Sequence, residues 1–214
     1  CGVRVYEKMN KFAEMVIPDE VAGTCNVQDI FFSPAARMLS DCSIPTVYDG
    51  DGVCDIAFAE NINMVPEEAL KNGIIIDARA AVILQAKGID TGIISVGNKI
   101  KTNIEYYVDM DEYVNCSCKA YDMQISDKAR ILSRFYYFAE NGITQKEIAA
   151  SYIYENNKGH KFLVFTFDGY FNGEAIYRSY ARSYQIKNTI EQFFNRKLPA
   201  YSYGNPDFYI IAKK

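Results

Sequence analysis

Apolar and polar positions alternate with two different periods along the first ninety residues, and the change of period marks the predicted elements. Val3, Tyr6, Met9, Phe12, Ala13 and Val16 recur at helical spacing, so an amphipathic helix is predicted over Val3–Met15, closed by Pro18. A second helix opens at Ser33-Pro34, Ser as N-cap and Pro at the first helical position, and runs through Ala35, Ala36, Met38 and Leu39 to about Cys42. Ile44–Tyr48 reads as a short strand, Asp49-Gly50-Asp51-Gly52 as a turn, and Val53–Ala59 as another strand. Pro66–Lys71 is predicted to be a compact helix with acidic residues near its start, stopped by Asn72-Gly73. Gly73–Asp77 is then a buried strand that turns almost at once into a helix over Ala78–Lys87, ended by Gly88.

After Gly92 the texture changes. Ile93–Val96 and Ile100–Val108 are rich in Ile, Val, Thr and Tyr, and Cys116–Met123 has the same character, so three strands are expected. Ala129–Phe138 satisfies either a helix or a strand. Ser151–Tyr154 and Lys161–Phe167 flank Glu155-Asn-Asn-Lys-Gly-His160, the pattern of a hairpin. Ala175–Phe194 reads as a long helix and Asp207–Ala212 as the last strand.

Composition narrows the classes. The chain has 214 residues, 49% of them hydrophobic, enough for one large domain or for one domain with a β-rich addition. Its net charge of −4 gives no electrostatic footprint for nucleic acid, and no Lys/Arg run marks an anionic membrane. No apolar run approaches the roughly 18 to 20 residues that span a bilayer, so a soluble, cytoplasmic protein with reduced thiols is expected. The first residue is Cys1. A cut from a longer polypeptide is expected ahead of a lipid-bearing N-terminus, because helical spacing begins at Val3 where an anchor would carry a flexible spacer.

The six cysteines are scattered, unlike a small disulfide scaffold. Cys116 and Cys118 are two residues apart, which on a strand places two small side chains on one face; a zinc site would need about four ligands. Neither a metal nor a cofactor is expected. Asp49–Gly52 resembles the start of a calcium loop, but the closing ligands do not follow. His160, the single histidine, lies in the hairpin turn and is expected to be exposed there.

The strand-to-helix corner at Asp77 is the strongest candidate site, since open α/β sheets place ligand and catalytic groups beyond the carboxyl ends of their strands. Asp77 is suited to bind a sugar hydroxyl, to pair with Arg79, or to cap the helix that follows, the last being favoured. Asp168, with Gly169 and Tyr170, follows another apolar strand and either faces the same crevice or begins a turn. The candidate ligand-binding set is therefore Asp77, Arg79, Asp168 and Tyr170. Acid pairs such as Asp77 with Asp168, or Asp109 with Asp111, would suit an autonomous glycosidase, but sequence spacing does not give their separation. Among the aromatic residues, Tyr106, Tyr107, Tyr136, Tyr137, Tyr152 and Tyr154 are candidates for core, for a subunit interface and, third, for stacking on sugar rings.

Three pieces of the chain carry a resemblance. They are Gly73-Ile-Ile-Ile-Asp-Ala-Arg-Ala-Ala with Leu84-Gln-Ala-Lys-Gly88; Ala129-Arg-Ile-Leu with Ala150–Gly159 and Lys161–Tyr170; and Gln185–Phe194 with Leu198-Pro-Ala200. Together they resemble the class I glutamine-amidotransferase-like, flavodoxin-like region attached to bacterial glycoside hydrolases, and are similar to the trimerisation domain of family 42 β-galactosidases. The resemblance implies an α/β fold of layered flavodoxin type with a β-rich insertion. The division it implies is an α/β half over residues 1–92, the insertion over 93–128, and a completing part over 129–214. It also implies a non-catalytic accessory role: supporting the catalytic domain of the parent polypeptide, holding a homo-oligomer together, or rimming a carbohydrate site. No catalytic residue carries over, because those carboxylates lie in the barrel. A working amidotransferase needs a Cys at the corner and a His-Glu pair downstream; here the corner holds Asp77, Ala78 and Arg79. The competing readings are a stand-alone binding domain for a small molecule or carbohydrate, and a hydrolase with an unfamiliar acid pair.

Overall fold

Ile74, Ile75 and Ile76 are fully buried on both faces, which places their strand in the middle of a sheet and not at its edge. The computed structural model describes residues 2–6, 34–48, 50–138, 145–169 and 179–198, together with the backbone of 201–203 and 210–212. The main strands are β1 (Val3–Val5), β2 (Thr46–Val47), β3 (Asp55–Ala57), β4 (Ile74–Ile76), β5 (Ile93–Tyr107), β6 (Glu112–Ile125), β7 (Arg130–Phe138), β8 (Gln145–Glu155) and β9 (Lys161–Phe165). They form one nine-stranded sheet in the order β2-β1-β3-β4-β9-β8-β7-β5-β6. From β2 to β9 neighbours run parallel; from β9 to β6 they run antiparallel. A separate hairpin pairs β10 (Tyr201–Tyr203) with β11 (Ile210–Ala212).

The helices α1 (Pro34–Asp41), α2 (Ala78–Ala86) and α3 (Tyr180–Asn188, continued by a π turn over Thr189–Phe193) cover the two faces. Alternation along β4 serves both cores: Ile75 packs with Met38 and Leu39 of α1 and Ile186 of α3, whereas Ile74 and Ile76 pack with Ala78, Ala81 and Leu84 of α2. The parallel strands are short, and the antiparallel ones run to 15 residues in β5 and 14 in β6. Beyond β9, Phe167 forms an antiparallel bridge with Ala120 of β6, and the Tyr121 amide donates to the Thr166 carbonyl at 2.8 Å. The five antiparallel strands thus curl until the outermost touches the continuation of β9.

This architecture corrects the layered flavodoxin-type α/β expectation: the molecule is a strand-rich mixed sheet with three α-helices among the described residues. The reason lies in 93–155, where β-branched and aromatic residues find cross-strand partners and extend the one sheet. β7 shows this locally. Its periodicity admits a helix, but pairing with β5 on one side and β8 on the other makes it a strand. The predicted N-terminal helix is also corrected at its start, since Val3–Val5 is a strand between β2 and β3 with Val3 and Val5 buried. The rest of that helix, the Ser33 cap and residues 170–178, which include the start of the long helix predicted over Ala175–Phe194, lie outside the described residues. Glu67–Lys71 forms a 3₁₀ turn where a compact helix was expected. Among the described residues no helix is long and apolar enough to cross a membrane.

Candidate functional site

The corner after β4 is built by one carboxylate. Asp77 has extended backbone geometry at the N-cap of α2, and its Oδ1 accepts from the Ala80 amide at 2.9 Å, the bond expected of a capping Asp. The same oxygen accepts from the Ala59 amide at 2.8 Å, and Oδ2 accepts from the Gly169 amide at 3.0 Å. Asp77 therefore ties the exit of β3, the start of α2 and the segment after β9 into one knot. Ala59 sits at φ +48°, a left-handed conformation that a non-glycine residue adopts only when its surroundings hold it there. Asp77 is wholly buried. Burial raises its pKa to about 6; the Ala59, Ala80 and Gly169 amides oppose that rise, and nearby Asp168 adds to it.

Asp168 lies at the same edge, just past β9, and is engaged differently. Its Oδ2 accepts from the Lys99 ammonium at 2.5 Å and from the Tyr121 hydroxyl at 3.4 Å. The Lys99 ammonium also stands 4.7 Å over the Tyr121 ring. The hydrogen bond to Asp168, with a further one to Tyr121, raises the Lys99 pKa. Lys99 comes from β5 and Tyr121 from β6, so this pair pins the long hairpin to the parallel half of the sheet. Arg79 stands in the first turn of α2 but pairs with Glu60 on the surface, not with Asp77. The structure thus brings Asp77 and Asp168 together, turns Arg79 outward, and Tyr170 lies outside the described residues. Lys99 and Tyr121 escaped sequence reasoning because their partner is 69 and 47 residues away, with no spacing signal to connect them.

A second constellation lies in the core beneath α3. Arg182, fully buried, donates from Nη2 to Glu105 Oε2 at 2.6 Å and from Nη1 to Gln185 Oε1 at 2.5 Å. Its guanidinium carbon stands 5.3, 4.8 and 5.5 Å from the rings of Tyr107, Phe165 and Phe167. Glu105 also accepts from the Ser133 hydroxyl at 2.6 Å and the Tyr107 hydroxyl at 3.1 Å, and Gln185 donates to Ser151 at 2.8 Å. Burial, the largest influence, lowers the Arg182 pKa, but Glu105 together with Tyr107, Cys42 and Cys116 raises it above its ordinary value. The neighbouring cleft, lined by Leu132, Tyr184, Asn188 and Thr189 among others, encloses about 10 Å³, room for a single water. This network is a structural core, not a binding pocket.

His160 departs from the exposed turn residue expected of it: it is buried, with Nε2 3.7 Å from Glu67 Oε1. The turn folds over its own residue, because Asn156 Oδ1 accepts from the amides of Lys158 and His160 at 2.9 and 3.1 Å. Burial lowers the His160 pKa. Cys116 and Cys118 share a buried face of β6. Among the candidate tyrosines, Tyr107, Tyr152 and Tyr154 are buried, while Tyr106 and Tyr136 are half-buried on the outer face of the sheet.

No protein-family model matches the chain, and no curated protein matches it.

Proposed function

We propose that this chain is a non-catalytic accessory domain of a glycoside hydrolase, working by positioning a catalytic barrel or rimming its sugar site and not by breaking bonds. One observation carries the non-catalytic part. The carboxylate at the strand-to-helix corner has both oxygens engaged by backbone amides and no exposed surface. A general acid, base or nucleophile must come within hydrogen-bond reach of the substrate, and Asp77 is instead the pin that holds three chain segments. Asp168 supports the same reading, since it clamps a hairpin through Lys99. The parent enzyme class comes from the resemblance of the corner, hairpin and terminal-helix sequences.

The test combines an assay with the gene. The purified chain is expected to leave chromogenic β-galactosides intact, and the reading frame around it to encode a (β/α)₈ barrel, about 250 residues or more in ordinary cases. Turnover by the chain alone that disappears in Asp168→Asn would overturn the non-catalytic reading. A mature protein with no adjoining barrel would overturn the assignment to a glycoside hydrolase.

A further inference from the structure

Asn156 closes the turn between β8 and β9 with every polar group it has. Its amide donates to the His160 carbonyl at 3.0 Å, and its carbonyl accepts from the Gly159 amide at 2.9 Å. Its Oδ1 accepts from the amides of Lys158 and His160, so the carboxamide fits only one way round. That orientation aims Nδ2 at the Asp90 carbonyl, 3.0 Å away, and at Nδ1 of His160, 3.4 Å away. An NH₂ group offers only hydrogens, so Nδ1 is the bare nitrogen of a neutral ring and Nε2 carries the hydrogen. Nε2 in turn faces Glu67 Oε1 at 3.7 Å. Asn156 and His160 are both buried. The ring borders an open cleft of about 450 Å³, whose other lining residues are Glu67, Glu68, Lys71 and Lys158.

We propose that this turn is an acid-operated latch: a proton on Nδ1 of His160 sets two donors face to face, breaks the Asn156 contacts and frees the Asp90 segment that leads into β5. No small rearrangement relieves the conflict. Turning the ring over does not help, because both nitrogens of an imidazolium are donors. Turning the carboxamide over sets Nδ2 against the Lys158 and His160 amides and Oδ1 against the Asp90 carbonyl. Opening to water is what remains. Burial is the largest influence on the ring and lowers its pKa; Glu67 raises it, and Lys158 and Lys71 lower it. The Asp90 carboxylate is taken up by the Tyr154 hydroxyl at 2.6 Å and the Gly92 amide at 2.9 Å. The closed turn is thus the neutral-ring form, stable above the ordinary histidine value of about 6.5 and weakened as pH falls below it. Two residues beyond Asp90, the Gly92 carbonyl accepts from the Ser126 amide at 2.8 Å, so the latch steadies the base of the β5–β6 hairpin. This inference does not depend on the function proposed above.

His160 is the single histidine of the chain, so one imidazole resonance in an NMR titration of the full chain from pH 8 to pH 5 follows the ring. Amide exchange over the same range follows the turn. The ring is expected to titrate below about 6.5, and the protection factors of the Lys158 and His160 amides to fall by up to about tenfold per pH unit below that value. Strands β4 and β9 should stay protected. Asn156→Asp puts a carboxylate oxygen where Nδ2 stands, able to accept from Nδ1–H. Its ring should titrate above about 6.5, and the acid loss of protection should disappear. A ring that titrates at its ordinary value, or that titrates while the two amides stay protected, would overturn the proposal. So would protection lost in β4 and β9 in the same step, which would make the event unfolding of the whole chain, and so would an Asn156→Asp ring that titrates as the parent's does. A thermal melt shows whether Asn156→Asp is folded. If it is not, His160→Gln replaces it: the Lys158 amide should then keep one protection factor from pH 8 to pH 5, and a fall as steep as the parent's would overturn the latch.

Discussion

Replacing Asp77 by Asn keeps the shape of the knot and changes only its charge and one acceptor. Asp77 meets three backbone amides with two carboxylate oxygens, but a carboxamide has one oxygen, so at least one buried amide is left facing an NH₂ group. A buried donor without a partner costs about 1–3 kcal/mol. The second contribution depends on pH. Burial holds the folded pKa at about 6 against an ordinary 3.8, a difference of roughly 3 kcal/mol at about 1.36 kcal/mol per unit. Because the folded value is the raised one, that stability is fully present below the ordinary value and is lost as pH rises through the folded value. The window runs from about pH 4 to about pH 6. The Asn variant cannot ionise and escapes this loss.

Urea denaturation of both proteins from pH 4 to pH 8 separates the two contributions. At pH 4 the variant should be the weaker by about 1–3 kcal/mol. Its deficit should then shrink as pH rises, and the two curves should meet or cross near pH 6. For a chain of this length each kcal/mol moves the melting temperature by about 2–4 °C, so melts give the same answer. A deficit that stays constant, or grows with pH, would refute the reasoning. It would mean that three amide donors outweigh burial and hold the carboxylate at or below its ordinary pKa.

Breaking the buried Arg182–Glu105 pair by Arg182→Met should cost about 3–5 kcal/mol, read as a lower urea midpoint, because Glu105 is left charged in the core. Adding Glu105→Gln should recover part of that loss; a double variant weaker than the single one would contradict the pairing. His160 is buried and its folded pKa is depressed, so its contribution is present above the ordinary histidine value of about 6.5 and lost as pH falls below it. His160→Gln should flatten that acid-side slope, opposite in sign to the Asp77 effect, and an unchanged slope would show that the ring titrates freely. Gly73 has φ +101° and faces the Phe194 ring so closely that a Cβ would overlap it at 2.2 Å. Gly73→Ala should therefore lower stability by at least about 1–3 kcal/mol, measured by the same denaturation, whereas Gly88→Ala, with open space around it, should cost less.

The local signals in the chain were dependable where a residue acts within its own segment. Pro34, Asp77 and Gly88 mark helix limits because a fixed φ, a capping carboxylate and a left-handed terminus act over a few residues. The hairpin around Asn156–His160 is legible for the same reason. Asp77 as a helix cap was readable; its bonds to Ala59 and Gly169 were not, since neither lies near it in sequence.

Tertiary structure decided the rest. Val3–Val5 joins a parallel sheet because β2 and β3 flank it, and Ala129–Phe138 becomes a strand because β5 and β8 are there to receive it. The pairing of Arg182 with Glu105 spans 77 residues and that of Lys99 with Asp168 spans 69. The contacts among Tyr106, Tyr113 and Tyr136 exist only once β6, β5 and β7 lie side by side. Periodicity states which face of a segment is apolar, but not which other segment will cover it. That choice belongs to strand pairing across long stretches of chain, where hydrogen-bond ladders and cross-strand contacts outweigh intrinsic propensity.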